Sequence, residues 1–412
     1  MADEGGPLKG LRVLDVGTYI FGPAAATVMS DFGAEVIKVE PPGVGDPYRY
    51  LHRIPPMPAS PIDYCWLLDG RNKRSVVLNL KHEAGREALL RLAETADVLV
   101  TNYHPSVLSN LRLTYDDLRA RCPRLIFAHA TGYGERGEEV EKPGYDMTAW
   151  WARSGMMDSV RPGDNDPALS LAGMGDHPSS LALFAGIMLG LYRRQTTGLG
   201  TKVSTSLIAN GAWSNSCLIQ AELCGAERYE RRQRTDAHNP LVNYYATADG
   251  RRFILCCIQA EKDWPALCRA VEKPEWTADP AFGTPEARRE HRRRLIVELD
   301  AIFARRTLAE WAAVFARHGV TFSPVATLPE LPADAQLAAN GVFLECDHPT
   351  YGRQRTVANP IRLKDVEAAA PRPAPPLGEA TRTILGELGY TRGEIEGMIA
   401  AGAAWGPPAE GG

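Results

Sequence analysis

The chain has 412 residues, of which 44% are hydrophobic and 23% charged, and its formal net charge is −4. That length exceeds one ordinary hydrophobic core, so at least two domains are expected. So small a net charge lacks the basic excess of a nucleic-acid or acidic-membrane binder, and neither is an expected partner.

Met1–Pro7 is acidic and glycine-rich, with no apolar run that would read as a secretory signal. Leu11–Asp15 then reads as a short strand, followed by a glycine turn at Gly17 and a helix over Ala24–Phe32. Glu35–Val39 is the next strand, and Val76–Leu78 another, entered through the polar run NKRS. Glu83–Glu94 carries apolar residues at Ala84, Ala88, Leu89, Leu92 and Ala93, a helical period. Val98–Thr101 and Leu125–His129 are strands around a helix at Tyr115–Arg121. Such alternation predicts a parallel sheet covered on both faces. Ligands of these sheets lie beyond the carboxyl ends of the strands, here the loops at Gly17, Asn102 and Thr131.

The pattern changes near Ala221. Leu241–Ala246 and Arg252–Ile258 form a strand pair joined by Ala248-Asp249-Gly250, a hairpin signal. Glu286–Arg306 is helical, and its cluster Arg288, Arg289, Arg292, Arg293 and Arg294 reads as a solvated face because Glu290, Glu298 and Asp300 are interleaved. Val325–Ala326, HPTYG and ANPIRL are short strands returning to the first domain, and Ala401–Gly412 reads as a disordered tail. The eight cysteines include no CxxC pair, so free thiols in a reducing, cytoplasmic compartment are expected. Nine histidines lack metal-ligand spacing, and no metal is expected.

The most informative segment is SLAGMGDHPSSLALFAGIMLGLYRRQTTGLG, Ser170–Gly200. Gly175 permits a tight turn, and Pro178 suits a first helical turn. Asp176 therefore stands at a helix N-terminus, where unpaired N–H groups favour an ionised carboxylate. An aspartate nucleophile needs that state; a simple N-cap explains the same residue. The loop Gly17–Gly22 lacks G-x-G-x-x-G, and a P-loop is missing as well, so neither a nicotinamide cofactor nor a nucleotide is indicated.

Taken in order, several runs resemble the family III CoA-transferases, which include formyl-CoA, carnitine-CoA and phenyllactate-type enzymes and, as a side branch, α-methylacyl-CoA racemase. They are LKGLRVLDVGTYIFGPAAATVMSDFGAEVIKVEPPGVGD at Leu8–Asp46, NKRSVVLNL at Asn72–Leu80, ADVLVTNYHPSVL at Ala96–Leu108, HATGYGERG at His129–Gly137, KPGYDMTAWWARSG at Lys142–Gly155, the Asp176 segment and TTGLGTKVSTSL at Thr196–Leu207. SPVATLPELPADAQLAANGVF and PPLGEATRTILGELGY extend the match nearly to the end.

The resemblance implies an α/β fold: a Rossmann-like large domain (1–222 and 329–400) with a smaller inserted α+β domain (223–328), interlocked as a ring-like homodimer. It implies that Asp176 attacks an acyl-CoA thioester and passes through anhydride and aspartyl-CoA intermediates to a small carboxylic acid. CoA thioesters are then substrates, and no cofactor is permanently bound. CoA contacts map onto Lys73, Arg74, Asn102, Tyr103 and His104. Racemases of the family carry a histidine where Tyr145 stands, and a phenol is a poor proton-exchanging base near neutral pH. Asp146 is then expected to orient a loop or cap a helix over Met147–Arg153. Trp150 and Arg153 are candidates for the substrate pocket, with Arg153 meeting the acceptor carboxylate. Tyr19 and Ile20, with Tyr145, Asp146 and Gly175, complete the pocket; Ile20 replaces the glutamine of formyl-CoA transferase and points to an acid larger than oxalate or formate. A racemase of the same fold and a non-catalytic acyl-CoA-binding protein are the alternatives.

Overall fold

Strand β1 (Arg12–Asp15) alternates Val13 and Leu14 between two apolar layers, and its neighbours do the same. They are β2 (Glu35–Glu40), β3 (Lys73–Leu78), β4 (Val98–Thr101), β5 (Ile126–Thr131) and β6 (Thr201–Ser206). The sheet order is β3-β2-β1-β4-β5-β6, all parallel, with a short strand Ala404–Trp405 (β12) antiparallel outside β3. One face, with Val13, Val36, Val98 and Ile126, packs with the helix Phe21–Asp31 and Leu183, Ile187 and Leu191 of the helix Asp176–Thr197. The other, with Leu14, Ile37, Leu99 and Phe127, is covered by the helix Glu83–Glu94 and by Ile384, Leu385 and Met398 near the carboxyl end. The order 3-2-1-4-5-6 is the doubly wound arrangement, and its topological switch lies between β1 and β4.

The computed structural model describes residues 6–366 and 370–408. The chain separates into one unit of Met1–Met157, Leu169–Leu223 and Gln336–Gly412, and a second of Asp158–Ala168 and Cys224–Ala335. The second unit holds an antiparallel sheet of β7 (Val242–Ala246), β8 (Arg252–Cys256) and β9 (Phe322–Pro324). Its core stacks Phe253, Phe303, Phe315 and Trp311 edge to face.

Several expectations are corrected. Val325–Ala326 is not a strand of the large unit: β9 ends at Pro324, and the Val325 N–H donates to the Arg252 carbonyl beside β8. ANPIRL forms no strand; Pro360 has no N–H for a ladder. HPTYG is the turn between β10 (Phe343–His348) and β11 (Gly352–Val357). Arg288 is buried, donating to the Phe282 carbonyl over the Trp264 ring, while Arg292 and Arg293 pair with Asp236. Within the expected tail, Ala404–Trp405 forms β12, antiparallel to β3; residues 409–412 lie outside the described ones. No helix is long and apolar enough to cross a membrane among the described residues.

Candidate active site

The loop after β1 is fixed from every side. Thr18 N–H donates to Asn102 Oδ1 at 2.9 Å and Asn102 Nδ2 returns a bond to Thr18 O at 2.7 Å, so the two loops at the topological switch are tied together. Lys38 Nζ donates to Gly17 O at 2.6 Å and lies 2.8 Å from Asp46 and 3.3 Å from Asp15. Burial opposes the Lys38 charge, but Asp15 and Asp46 outweigh it and hold the ammonium firmly protonated. Asp46 also accepts the Tyr19 N–H at 3.0 Å. Together these bonds keep Tyr19 at φ +60°, a conformation costly for an aromatic residue, and aim its ring edge-on at Tyr145, 6.0 Å away.

The second half of the site is the turn into the helix Asp176–Thr197. Asp146 opens a π-helical turn, Asp146–Ala152, in place of the expected α-helix; such turns recur at functional sites. Its buried carboxylate accepts the Met147 N–H at 2.8 Å and the Gly175 N–H at 3.3 Å. Trp150 lies behind Gly175 so closely that a Cβ there would come within 2.6 Å of the indole, which is why only glycine fits. Gly175 precedes the helix and Asp176 is its first residue.

Asp176 is not a cap. Its carboxylate has no hydrogen-bond partner among the described residues, and it faces a cleft. Burial, then the charge of Asp146, push its carboxyl from the usual 3.8 up to about 8 despite His177. The expectation that the helix N-terminus keeps Asp176 ionised is therefore corrected: desolvation and a like charge outweigh the dipole.

The cleft has a volume of about 90 Å³ and is lined by Asp176 together with Tyr19, Ile20, Asn102, Tyr103, His104 and Tyr145. Its floor is tight, because Gly132 and Gly144 approach so closely that a Cβ on Gly132 would lie 2.8 Å from the Gly144 Cα. Gly175, Asp146 and Trp150 form the support behind the nucleophile candidate. Trp150 is buried, stacked on Trp151.

Three expected residues lie elsewhere. Lys73 is buried with its Nζ donating to Asp15 at 2.9 Å and to Pro23 O at 2.8 Å, so it cannot meet a phosphate. Arg74 is clamped by Glu35 and Glu387 at 2.7 and 2.6 Å. Both residues begin β3, whereas the cleft lies past the ends of β4 and β5. Arg153 is exposed, 3.8 Å from Glu139, and does not line the cleft.

Two features escaped the sequence reading. A groove of about 400 Å³ runs beside Pro41, Pro42, Leu78, Lys81 and Tyr103, so Tyr103 lines both it and the Asp176 cleft. Lys81 continues into a neighbouring depression with Arg86, Arg112, His82 and Glu83. Lys81, Arg86 and Arg112 have no ion-pair partner among the described residues. They lie past the end of β3 and on separate elements, and only the fold brings them together. The other feature is His177, whose Nε2 lies 3.2 Å from Asp69 Oδ2, while the Tyr48 hydroxyl donates to the same oxygen at 2.6 Å. Its sequence signal was its place directly after Asp176. Among the described residues no cluster of three His, Cys, Asp or Glu side chains could hold a metal.

The profile of "CoA-transferase family III" matches residues 8–381. A succinyl-CoA:glutarate CoA-transferase of Mus musculus is 34% identical over 96% of this chain and 90% of its own. An (R)-2-hydroxy-4-methylpentanoate CoA-transferase of Clostridioides difficile is 31% identical over 94% of this chain and 97% of its own. The crystal structure of a CAIB/BAIF family protein from Brucella suis superposes with a TM-score of 0.82 at 27% identity, covering 93% of this chain and all of that one. The chain belongs to CoA-transferase family III and is an enzyme of that class.

Proposed function

We propose that this enzyme moves CoA from an acyl-CoA thioester to a free carboxylic acid, with Asp176 as the covalent nucleophile. The observation that carries the reading is an aspartate at a helix start, without a hydrogen-bond partner among the described residues, held by a glycine no other residue can replace and facing a cleft at the topological switch.

In this reading an Asp176 carboxylate oxygen attacks the thioester carbonyl and expels CoA thiolate, leaving a mixed anhydride. The thiolate attacks the aspartyl carbonyl and releases the donor acid, giving an aspartyl-CoA thioester. The acceptor carboxylate attacks that carbonyl and expels CoA thiolate again, and the thiolate finally attacks the acceptor's acyl carbon. The products are the new thioester and a free Asp176 carboxylate. Each step exchanges one activated acyl bond for another, so no external energy source is consumed. The narrow cleft limits water, which would hydrolyse the anhydride.

CoA's pantetheine arm fits the groove past Tyr103, with its phosphates at Lys81, Arg86 and Arg112. The unpaired cations support this placement, where Lys73 and Arg74 are already neutralised. Ile20 and Phe21 at the cleft, and relatives named for glutarate and for a branched hydroxy acid, support an acceptor larger than formate. A homodimer in the cytoplasm is the accompanying assignment, resting on the family resemblance and on the cysteine usage, and light scattering tests the stoichiometry.

The test is chromatographic: the enzyme is supplied with succinyl-CoA and a panel of carboxylic acids. New thioesters should form with the wild type and be lost in Asp176→Ala. Unimpaired transfer by that variant would exclude Asp176 as nucleophile.

A further inference from the structure

We propose that Tyr48, Asp69 and His177 form a relay that holds His177 as an imidazolium beside Asp176 and so sets the pH at which the nucleophile becomes available. This rests on the reading of Asp176 as nucleophile.

A neutral imidazole has one N–H and one lone pair. The ring of His177 meets an acceptor at each nitrogen: the Gly173 carbonyl oxygen lies 3.1 Å from Nδ1, and the Asp69 carboxylate 3.2 Å from Nε2. A neutral ring would turn its lone pair toward one of these oxygens. Only the imidazolium donates to both. Asp69 is buried, and its Oδ2 also accepts the Tyr48 hydroxyl, so it presents a carboxylate with no competing proton. Burial works against the charge on each partner, but the pair prevails: Asp69 lies below the usual carboxyl range and His177 is raised to about 9.

The charges felt by Asp176 come from three elements. Asp146 belongs to the π-helical turn, Asp69 ends the helix Tyr64–Asp69, and His177 follows Asp176 in its own helix. Tyr48, on the turn Pro47–Arg53, is held neutral as a donor by burial and by Asp69. Among the described residues whose charge acts on Asp176, His177 is therefore the one cation, set against two carboxylates. Removing it would leave those carboxylates unopposed by any of these side chains, and the Asp176 proton would be lost at a higher pH. His177 acts through Asp176, which makes it a positioning residue.

The experiment uses the full-length enzyme labelled with 15N-histidine, with the His177→Gln variant identifying the resonance. At pH 7.5 His177 should show protons on both ring nitrogens and titrate near pH 9; a neutral tautomer at that pH overturns the relay. Quenched-flow mass spectrometry then follows adduct formation at Asp176 with succinyl-CoA from pH 5.5 to about 10.5, into the plateau expected from a midpoint one unit above about 8. In His177→Gln the midpoint should move up by about one pH unit, which lowers the rate at pH 7 about tenfold while sparing the alkaline plateau. Asp69→Asn provides a second variant if the first folds poorly: loss of the imidazolium raises the midpoint, loss of the Asp69 charge itself partly offsets it, and the shift should keep its sign and be smaller. An equal loss at every pH with an unmoved midpoint means a structural role only and overturns the proposal. A wild type that forms no adduct removes Asp176 as nucleophile, and with it the control of that nucleophile; the NMR titration then still decides the charge on His177.

Discussion

Replacing Asp176 by Asn should stabilise the first unit, and increasingly so as the pH rises. The wild-type carboxyl binds its proton more tightly in the folded state, at about 8, than in the unfolded chain, at 3.8. Its contribution is therefore full below the unfolded value and is lost as the pH climbs through that window. Four pH units at about 1.4 kcal/mol each set a ceiling near 6 kcal/mol. Asp176 keeps part of its surface exposed, so solvent screening reduces this to about 2 kcal/mol. Asn has the same shape and no charge, and the wild-type carboxylate makes no hydrogen bond that would be lost among the described residues. The assay is thermal unfolding of both proteins from pH 4.5 to 9. His177, raised from 6.5 to about 9 by Asp69 against the effect of burial, tilts both curves in the same direction, so most of the difference between them comes from Asp176. The variant should gain about 3–6 °C over the wild type between the ends of that range. A difference that stays flat, or falls with pH, would refute a carboxylate destabilised by burial and by Asp146.

Gly175→Ala places a Cβ 2.6 Å from the Trp150 indole and should cost about 1–3 kcal/mol by overpacking while displacing Asp176; an unchanged melting temperature together with full transfer would contradict the close approach. Lys38→Met leaves the buried Asp46 without its cation and Asp15 with Lys73 alone, and should cost about 3–5 kcal/mol in denaturant titrations, where a loss below about 1 kcal/mol would mean the network is dispensable. Lys81→Ala and Arg112→Ala should each raise KM for CoA esters several-fold with kcat little changed, whereas Arg74→Ala should leave KM alone because Glu35 and Glu387 already neutralise it. A KM effect confined to Arg74 would return the phosphates to β3.

Much of the doubly wound core was legible because its helices and strands carry clean periods: Glu83–Glu94 and Val98–Thr101 form over the same residues the pattern predicts. The place of the cleft was legible too, because a parallel sheet opens its crevice beyond the strand ends, and Asn102 and Thr131 line it as their positions after β4 and β5 predict. Local sequence could not show the partners of a charge. Lys73 and Arg74 look like free cations in NKRS, yet their neutralising carboxylates lie far away in the chain, at Asp15, Glu35 and Glu387. The ionisation of Asp176 was misjudged for the same reason, since Asp146 stands 30 positions earlier and reaches it only through the fold. His177 stood in plain view beside Asp176, but its role depends on Asp69 and Tyr48. Pairing of β12 depends on a tertiary edge that the Gly/Ala-rich composition of Ala401–Gly412 conceals.

The central claim is the covalent role of Asp176. The enzyme is mixed with succinyl-CoA, quenched in acid, digested and mapped by mass spectrometry. The account predicts an acyl or CoA adduct on the peptide that holds Asp176, lost in Asp176→Ala. Productive transfer with no adduct on that peptide, or with an adduct on another residue, would contradict it.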